Sequence, residues 1–190
     1  MLWRRLLHGA GGFALVYYIV PTGFFVVVSK EVAVLIALGL VGLLELLRLG
    51  FGVELPTIRG YEEGRPASYV FYAVGIVLAL LLFPEAIGAT VVLGTALVDP
   101  LAGELRGSSR GRRLGPWPPI VAYGVLATLT LGGIGRWPWT WAVALAVLAA
   151  GVAVGMERWR LRWLDDDLTM TVVPALALYG VGVVALGLPR

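Results

Sequence analysis

The sequence predicts an all-α integral membrane protein, in which residues 1–190 form a single bundle of about seven transmembrane helices. The chain is 59% hydrophobic, its mean hydropathy is +0.88, and apolar runs recur along its whole length. A helix needs ~20 apolar residues to cross the ~30 Å hydrocarbon core of a bilayer. We find no soluble tail or long linker that would indicate a second domain. The absence of cysteine excludes disulfide and thiolate chemistry.

Seven apolar runs predict the helices, at residues 9–28, 32–49, 67–83, 86–98, 118–132, 138–156 and 172–188. The first run is too long for a signal-peptide core and has no small-residue cleavage site after it, so we interpret it as a span. The fourth covers only roughly 20 Å at ~1.5 Å per residue. We expect its helix to end at Pro100, because proline breaks a helix. Asp99 would then lie below the interface or beside irregular chain.

The distribution of charge predicts the orientation. If the amino terminus is cytoplasmic and the chain alternates sides, 12 of the 15 basic residues fall on the inner side, which is the bias of cytoplasmic loops. All seven tryptophans fall at predicted span ends. Acidic residues concentrate on the inner side as well, and the spans lack the midplane polar groups expected of a transporter. We therefore expect a multi-pass cell-membrane protein whose active site faces the cytoplasm. The net charge is only +3, and we expect no nucleic-acid partner.

The strongest chemical pattern lies at residues 98–113. Asp99 and Glu104 supply carboxylates that could hold a divalent cation, and phosphoryl transfer needs such a cation on the triphosphate. Arginine binds phosphate through two parallel hydrogen bonds. The predicted phosphate-binding residues follow at once: Arg106, Arg110, Arg112 and Arg113. The alternative is a positive-inside loop with two capping acids, which explains the arginines but not an acid at the end of a short span.

A second acidic cluster follows the sixth run. Glu157 ends that run, and Asp165, Asp166 and Asp167 stand consecutively before the seventh. Three adjacent carboxylates repel one another unless a cation lies among them. An N-cap needs only one of them. Metal binding is therefore the favoured interpretation.

The amino-terminal half carries three weaker patterns. Arg4 and Arg5 lie three and four residues before His8, which places them on one helix face as a phosphate-binding corner or as a topology anchor. Glu45 and Arg48 are predicted to form a structural ion pair. A charged loop before the third run is either solvated or binds a head group or phosphate, through Arg59, Glu62, Glu63 and Arg65. Separately, the spacing of Gly151 and Gly155 allows a homodimer face.

These motifs resemble the polyprenol kinase family, which includes dolichol kinase, phytol kinase and the CTP-dependent diacylglycerol kinase. Residues 4–8 are similar to the family's opening basic-x-x-His motif, and residues 62–70 to its acidic loop and span start. Residues 99–103 are similar to its Asp-x-x-Ala segment. Glu157 and residues 165–169 resemble its Glu followed by Asp-Asp-Asn-Leu-Thr. The sequence departs from the family at residues 114–119, which lack its Lys-Ser/Thr-x-Glu-Gly motif, and at Asp167, where the family has Asn.

The resemblance implies a lipid-alcohol kinase that transfers the γ-phosphate of CTP to a membrane isoprenoid alcohol of the dolichol or polyprenol type. Asp99 and the aspartate run would hold Mg²⁺, the arginines would bind the nucleotide triphosphate, and Asp166 or His8 would accept the hydroxyl proton. Two alternatives stay open. One is a CTP-dependent lipid-phosphate cytidylyltransferase, and the other is a non-catalytic lipid-binding or scaffold protein.

Overall fold

The computed structural model describes residues 8–21, 28–53, 58, 62–158 and 165–189, apart from the side chains of Arg106, Arg110, Arg112 and Arg158. Across these ranges the chain is helical and contains no strand, which confirms the all-α class. The helices are α1 (Val16–Ile19), α2 (Lys30–Phe51), α3 (Ser68–Leu82), α4 (Glu85–Leu93), α5 (Asp99–Gly107), α6 (Ser109–Leu114), α7 (Trp117–Leu129), α8 (Trp139–Arg158) and α9 (Asp166–Leu178). Wider π-helical turns continue α4, α7 and α9, over Gly94–Val98, Thr130–Ile134 and Tyr179–Ala185.

Within the described residues, five helical stretches are long and apolar enough to cross a membrane, fewer than the seven predicted: Lys30–Phe51, Glu85–Leu105, Trp117–Ile134, Trp139–Glu157 and Asp166–Ala185. The apolar helix α3 has 15 residues and falls short of the ~20 that a crossing takes. The first predicted run is described only in part, and its described residues form short turns of helix up to Ile19.

The predicted end of the fourth run at Pro100 is wrong. The helix passes through Pro100, and α4, its π-helical turn and α5 form one stretch from Glu85 to Leu105. Pro100 stands at the start of α5, directly after the π-helical turn. A proline ring clashes with the carbonyl four residues earlier in a regular α-helix, and the wider turn gives that ring room. The stretch therefore has the length of a full span.

Packing places α9 at the centre of the bundle and α2 at its edge. Helix α9 contacts α3, α4 and α8, and α7 packs against α8 and the π-helical turn of α4. Small side chains on α8 form much of the buried surface between these helices: Ala142, Ala146, Ala149, Ala150 and Ala153. Helix α2 packs mainly on α3, and only 11% of its most apolar 18-residue segment is buried. An apolar helix so exposed suits a lipid environment.

The predicted site segments in the described part of the chain lie at one end of the bundle. The start of α8 lies against the end of α9, since the Trp137 ring fills the space beside Gly182. Residues 8–11, the end of α2, the start of α3, the start of α5 and the start of α9 all meet at the opposite end. We call this the charged end.

Candidate functional site

The side chain of His8 lies between two aspartates from distant parts of the chain. Its Nδ1 is 3.5 Å from Oδ2 of Asp99, and its Nε2 is 3.7 Å from Oδ2 of Asp167. His8 and Asp167 are buried, with 5% and 1% of their side chains exposed, and Asp99 has 13% exposed. The structure therefore brings together three predicted site segments: the amino-terminal motif with His8, the segment that begins at Asp99, and the aspartate run.

Tyr72 of α3 holds His8 in this position. The two rings are stacked with their centroids 4.5 Å apart, and the Tyr72 hydroxyl donates a hydrogen bond of 2.8 Å to the backbone carbonyl of His8. Gly11 makes the approach possible, because a Cβ there would lie 2.1 Å from the Tyr72 hydroxyl oxygen. Burial lowers the pKa of His8, against the opposing charges of Asp99 and Asp166. A lowered pKa favours the neutral imidazole, which can accept a proton or bind a metal.

The start of α9 orders the aspartate run. Asp165 is the N-cap, and its Oδ1 accepts a hydrogen bond of 3.0 Å from the backbone N–H of Asp167. An N-cap needs only one side chain, so capping accounts for one carboxylate of the three. Burial, together with the charges of Asp166 and Glu62, raises the pKa of Asp165 to about 6. The run is therefore a place where negative charge is crowded and poorly solvated.

Two groups of side chains in the described part of the chain have the geometry to hold a metal ion. One consists of His8, Asp99 and Asp167, and the other of Asp165, Asp166 and Asp167. Within each group the ligand atoms lie within 4.8 Å of one another. Carboxylate oxygens are the donors that Mg²⁺ prefers, and a cation would also relieve the repulsion among these acids. The donor set fits a divalent cation, with Asp167 common to both groups.

Two further residues of the predicted site are buried acids, Glu62 and Glu157. Glu62 is 2% exposed and its Oε1 accepts a hydrogen bond of 3.3 Å from the N–H of Ser68, at the start of α3. Its charge contributes to the raised pKa of Asp165. Glu157, near the end of α8, is 5% exposed. The predicted residues Glu63 and Arg65 are exposed in the loop before α3.

The remaining predicted residues are Glu104, as a cation ligand, and the arginines, as phosphate-binding residues. Glu104 is exposed on α5 and belongs to neither metal group among the described residues. Arg113 is exposed on α6. The predictions for Arg4, Arg5 and Arg59 lie outside the described residues, and so do those for the side chains of Arg106, Arg110 and Arg112. Helix α5 begins at Asp99, so the arginine segment follows directly from the metal cluster.

Sequence reasoning missed three residues that support the cluster: Tyr72, Thr95 and Thr171. Thr95 stands four residues before Asp99 and Thr171 four after Asp167, so each shares a helix face with its aspartate. That spacing was available from the sequence alone. No comparable pattern identifies Tyr72, whose role depends on the approach of residues 8–11.

The chain matches no family model, no curated protein and no solved structure. The resemblance to polyprenol kinases therefore rests on the sequence motifs alone.

Proposed function

We propose that this protein is a Mg²⁺-dependent lipid-alcohol kinase that transfers the γ-phosphate of CTP to an isoprenoid alcohol of the dolichol or polyprenol type. One observation carries the proposal. His8, Asp99 and Asp167 converge from three distant segments within 4.8 Å at the charged end of an apolar helical bundle. His8 and Asp99 stand at positions where the sequence resembles the kinase family, and Asp167 stands in the matching carboxyl-terminal motif, at the position where the family has Asn.

Asp99 and Asp167 are the residues that would hold Mg²⁺, with Asp165 and Asp166 as further carboxylates at the start of α9. The bound ion would neutralise charge on the triphosphate during phosphoryl transfer. The residues are buried enough to exclude much of the surrounding water, which strengthens their electrostatic interactions.

His8 is the proposed acceptor of the proton from the lipid hydroxyl. Its burial favours the neutral form, and its ring lies against Asp99 and Asp167, where the reacting hydroxyl must approach the cation. Asp166, the first residue of α9, is the alternative acceptor because it is only half-buried and adjoins the same cluster.

The helices after Asp99 suit the binding of a nucleotide triphosphate. Helix α5 continues for nine residues from Asp99, roughly 13 Å along its axis. Helix α6 folds back from it after Ser108, whose side chain accepts a hydrogen bond from the N–H of Gly111. We propose that arginines on this helical pair bind the phosphates: Arg106, Arg110, Arg112 and Arg113. The choice of CTP comes from the family resemblance.

The apolar helices support a multi-pass membrane location. The charged end carries Arg48, Arg65 and Arg113, whereas Lys30 and Arg136 lie toward the other end. On the positive-inside rule we propose that the charged end, and the active site with it, faces the cytoplasm. A lipid alcohol would present its hydroxyl at this level of the bilayer.

The decisive experiment is transfer from γ-labelled CTP by the purified protein in lipid nanodiscs, with Mg²⁺ and a panel of isoprenoid alcohols and diacylglycerol. A kinase places the label in the extracted lipid. With lipid phosphates as acceptors, label in pyrophosphate would instead identify a cytidylyltransferase and contradict the proposal. If neither product forms, and Mg²⁺ with CTP gives no thermal stabilisation, the protein is a non-catalytic lipid-binding or scaffold protein.

A further inference from the structure

Two buried threonines connect the helices that carry Asp99 and Asp167. Oγ1 of Thr95, in the π-helical turn after α4, lies 3.0 Å from Oγ1 of Thr171 on α9. Both residues are 0% exposed. The Thr171 hydroxyl is also 2.9 Å from the backbone carbonyl of Asp167, and the Thr95 hydroxyl can donate to the carbonyl of Val91. Since a hydroxyl has one proton, the Thr95 hydroxyl can donate to Thr171 while Thr171 donates to Asp167.

The spacing of this pair matches the spacing of the acids. Thr95 precedes Asp99 by four residues and Thr171 follows Asp167 by four, and residues four apart lie one turn apart on one helix face. The two helices run antiparallel, so the hydroxyl pair lies about one turn, ~5.4 Å, from the carboxylates on the side of the bundle interior. Among the described residues, it is the hydrogen bond between these two helices that lies nearest to Asp99 and Asp167.

We infer that Thr95 and Thr171 are positioning residues that set the distance between Asp99 and Asp167, and thereby the affinity of the cluster for a divalent cation. The inference rests on the cation site of the proposed function. Two carboxylates repel each other before a cation arrives, and apolar packing opposes that repulsion without fixing a direction. A hydrogen bond between the helices is directional, and it holds the backbones in register.

The third helix around the pair restricts it further. Gly75 of α3 faces Thr171, and a Cβ at position 75 would lie 3.2 Å from the Cβ of Thr171. Thr171 is thus enclosed by α3 on one side and by Thr95 on the other. A side chain held in this way transmits a change in its hydrogen bond to the helix that carries Asp167.

The bundle contains a matched control. Thr90 of α4 and Thr130 of the turn after α7 form a second buried hydroxyl pair, with 2.6 Å between their Oγ1 atoms. Thr90 is 0% exposed and its hydroxyl donates to the carbonyl of Ala86 over 2.6 Å. Thr90 lies nine residues before Asp99, and neither Thr90 nor Thr130 is within one turn of a cluster residue along its own helix.

The test is a titration of the full-length protein in detergent with Mn²⁺ alone, followed by electron paramagnetic resonance of the free ion. We expect Thr95→Val and Thr171→Val each to raise the Mn²⁺ Kd about ten-fold, as loss of outer ligand support does in other metal sites. Thr95→Ser and Thr171→Ser keep the hydroxyl and should bind Mn²⁺ with the Kd of the wild type. The double Val variant should be little worse than either single one, because both remove the same hydrogen bond.

Thr90→Val should lower the Tm and leave the Mn²⁺ Kd unchanged. A Kd at the wild-type value in folded Thr95→Val would overturn the inference and leave the cation site standing, and so would an equal loss of affinity in Thr90→Val. Failure of the wild type itself to bind Mn²⁺ would overturn the proposed cation site together with the inference. If Thr171→Val does not fold, Thr95→Val tests the same hydrogen bond from the other helix.

Discussion

The guanidinium group of Arg48 binds both carboxylate oxygens of Glu45 at 2.8 Å near the end of α2. The predicted ion pair is thereby confirmed, and it does more than close one helix. Nη2 of Arg48 also donates to the backbone carbonyls of Glu62 and Arg65, at 3.3 and 2.7 Å. Glu45 accepts hydrogen bonds from the N–H of Ala67 and from the Tyr69 hydroxyl. The pair therefore fixes the segment that carries the buried Glu62.

Breaking this pair should destabilise the protein more than removing it whole. Each side chain is only 6% exposed, and a buried charge that loses its partner costs roughly 3–5 kcal/mol. We expect Glu45→Gln and Arg48→Met each to lower the free energy of unfolding by about this amount in urea titrations. The double variant should lose clearly less than the sum. Additive losses would show that the two charges act independently.

Removing a carboxylate from the metal cluster should abolish activity without unfolding the chain. We expect Asp99→Asn and Asp166→Asn to lower turnover in the labelled-CTP assay by about two orders of magnitude, since even outer support of a metal ligand is worth about 10–100-fold. Glu85→Gln, which removes an exposed carboxylate at the other end of α4, is the matched control and should retain activity. Turnover near the wild-type rate in either aspartate variant would refute the site.

The stabilising effect of Mg²⁺ should depend on pH through Asp165. Its pKa is raised from 3.8 to about 6 in the folded protein, so without a cation the ionised form lowers stability as pH rises from about 4 to about 6. Bound Mg²⁺ favours that ionised form and competes with the proton. The rise in Tm on adding Mg²⁺ should therefore be larger at pH 7.5 than at pH 5. The same rise at both values would contradict this, and Asp165→Asn should flatten the dependence.

Gly94 should tolerate no side chain. It begins the π-helical turn before Asp99, and a Cβ there would lie 2.2 Å from Cε2 of Tyr123, whose ring is fully buried against it. We expect Gly94→Ala to lower the free energy of unfolding by about 1–3 kcal/mol through overpacking. Gly39→Ala on α2 is the control, because nothing lies within 4 Å of its Cβ and alanine favours a helix by about 0.5–1 kcal/mol. Equal effects of the two substitutions would argue against close packing at Gly94.

The sequence predicts the class of fold because apolar content and run length need no tertiary information. The sequence does not predict that the helix continues through Pro100. The expected helix end assumes a regular α-helix, and the π-helical turn before Pro100 departs from that geometry. Among the described residues the structure has fewer spans than the sequence predicts, for a similar reason. Hydropathy identifies α3 as apolar, but its 15 helical residues are set by the loop that Arg48 holds and by Phe83 and Pro84.

Some features of the site can be predicted from the sequence and others depend on how the chain packs. Asp99 and the aspartate run stand out in the sequence because uncompensated acids beside apolar runs are costly and need an explanation. The position of His8 between Asp99 and Asp167 follows from the packing of residues 8–11 on Tyr72, which spacing along the chain cannot reveal. The homodimer face stays a prediction, with Gly151 and Gly155 exposed on α8.

The π-helical turn at Gly94–Val98 makes the length of the fourth span as important as its composition. A π-helical turn closes i→i+5 hydrogen bonds and so holds one residue more than an α-helical turn. Deleting one residue here would leave regular α-helical geometry and bring the Pro100 ring against a carbonyl of the preceding turn, which would kink or break the helix beside Asp99 although the span would stay equally apolar. Relatives of this chain should vary freely in the identity of its lipid-facing residues here, such as the exposed Leu97, and hardly at all in their number.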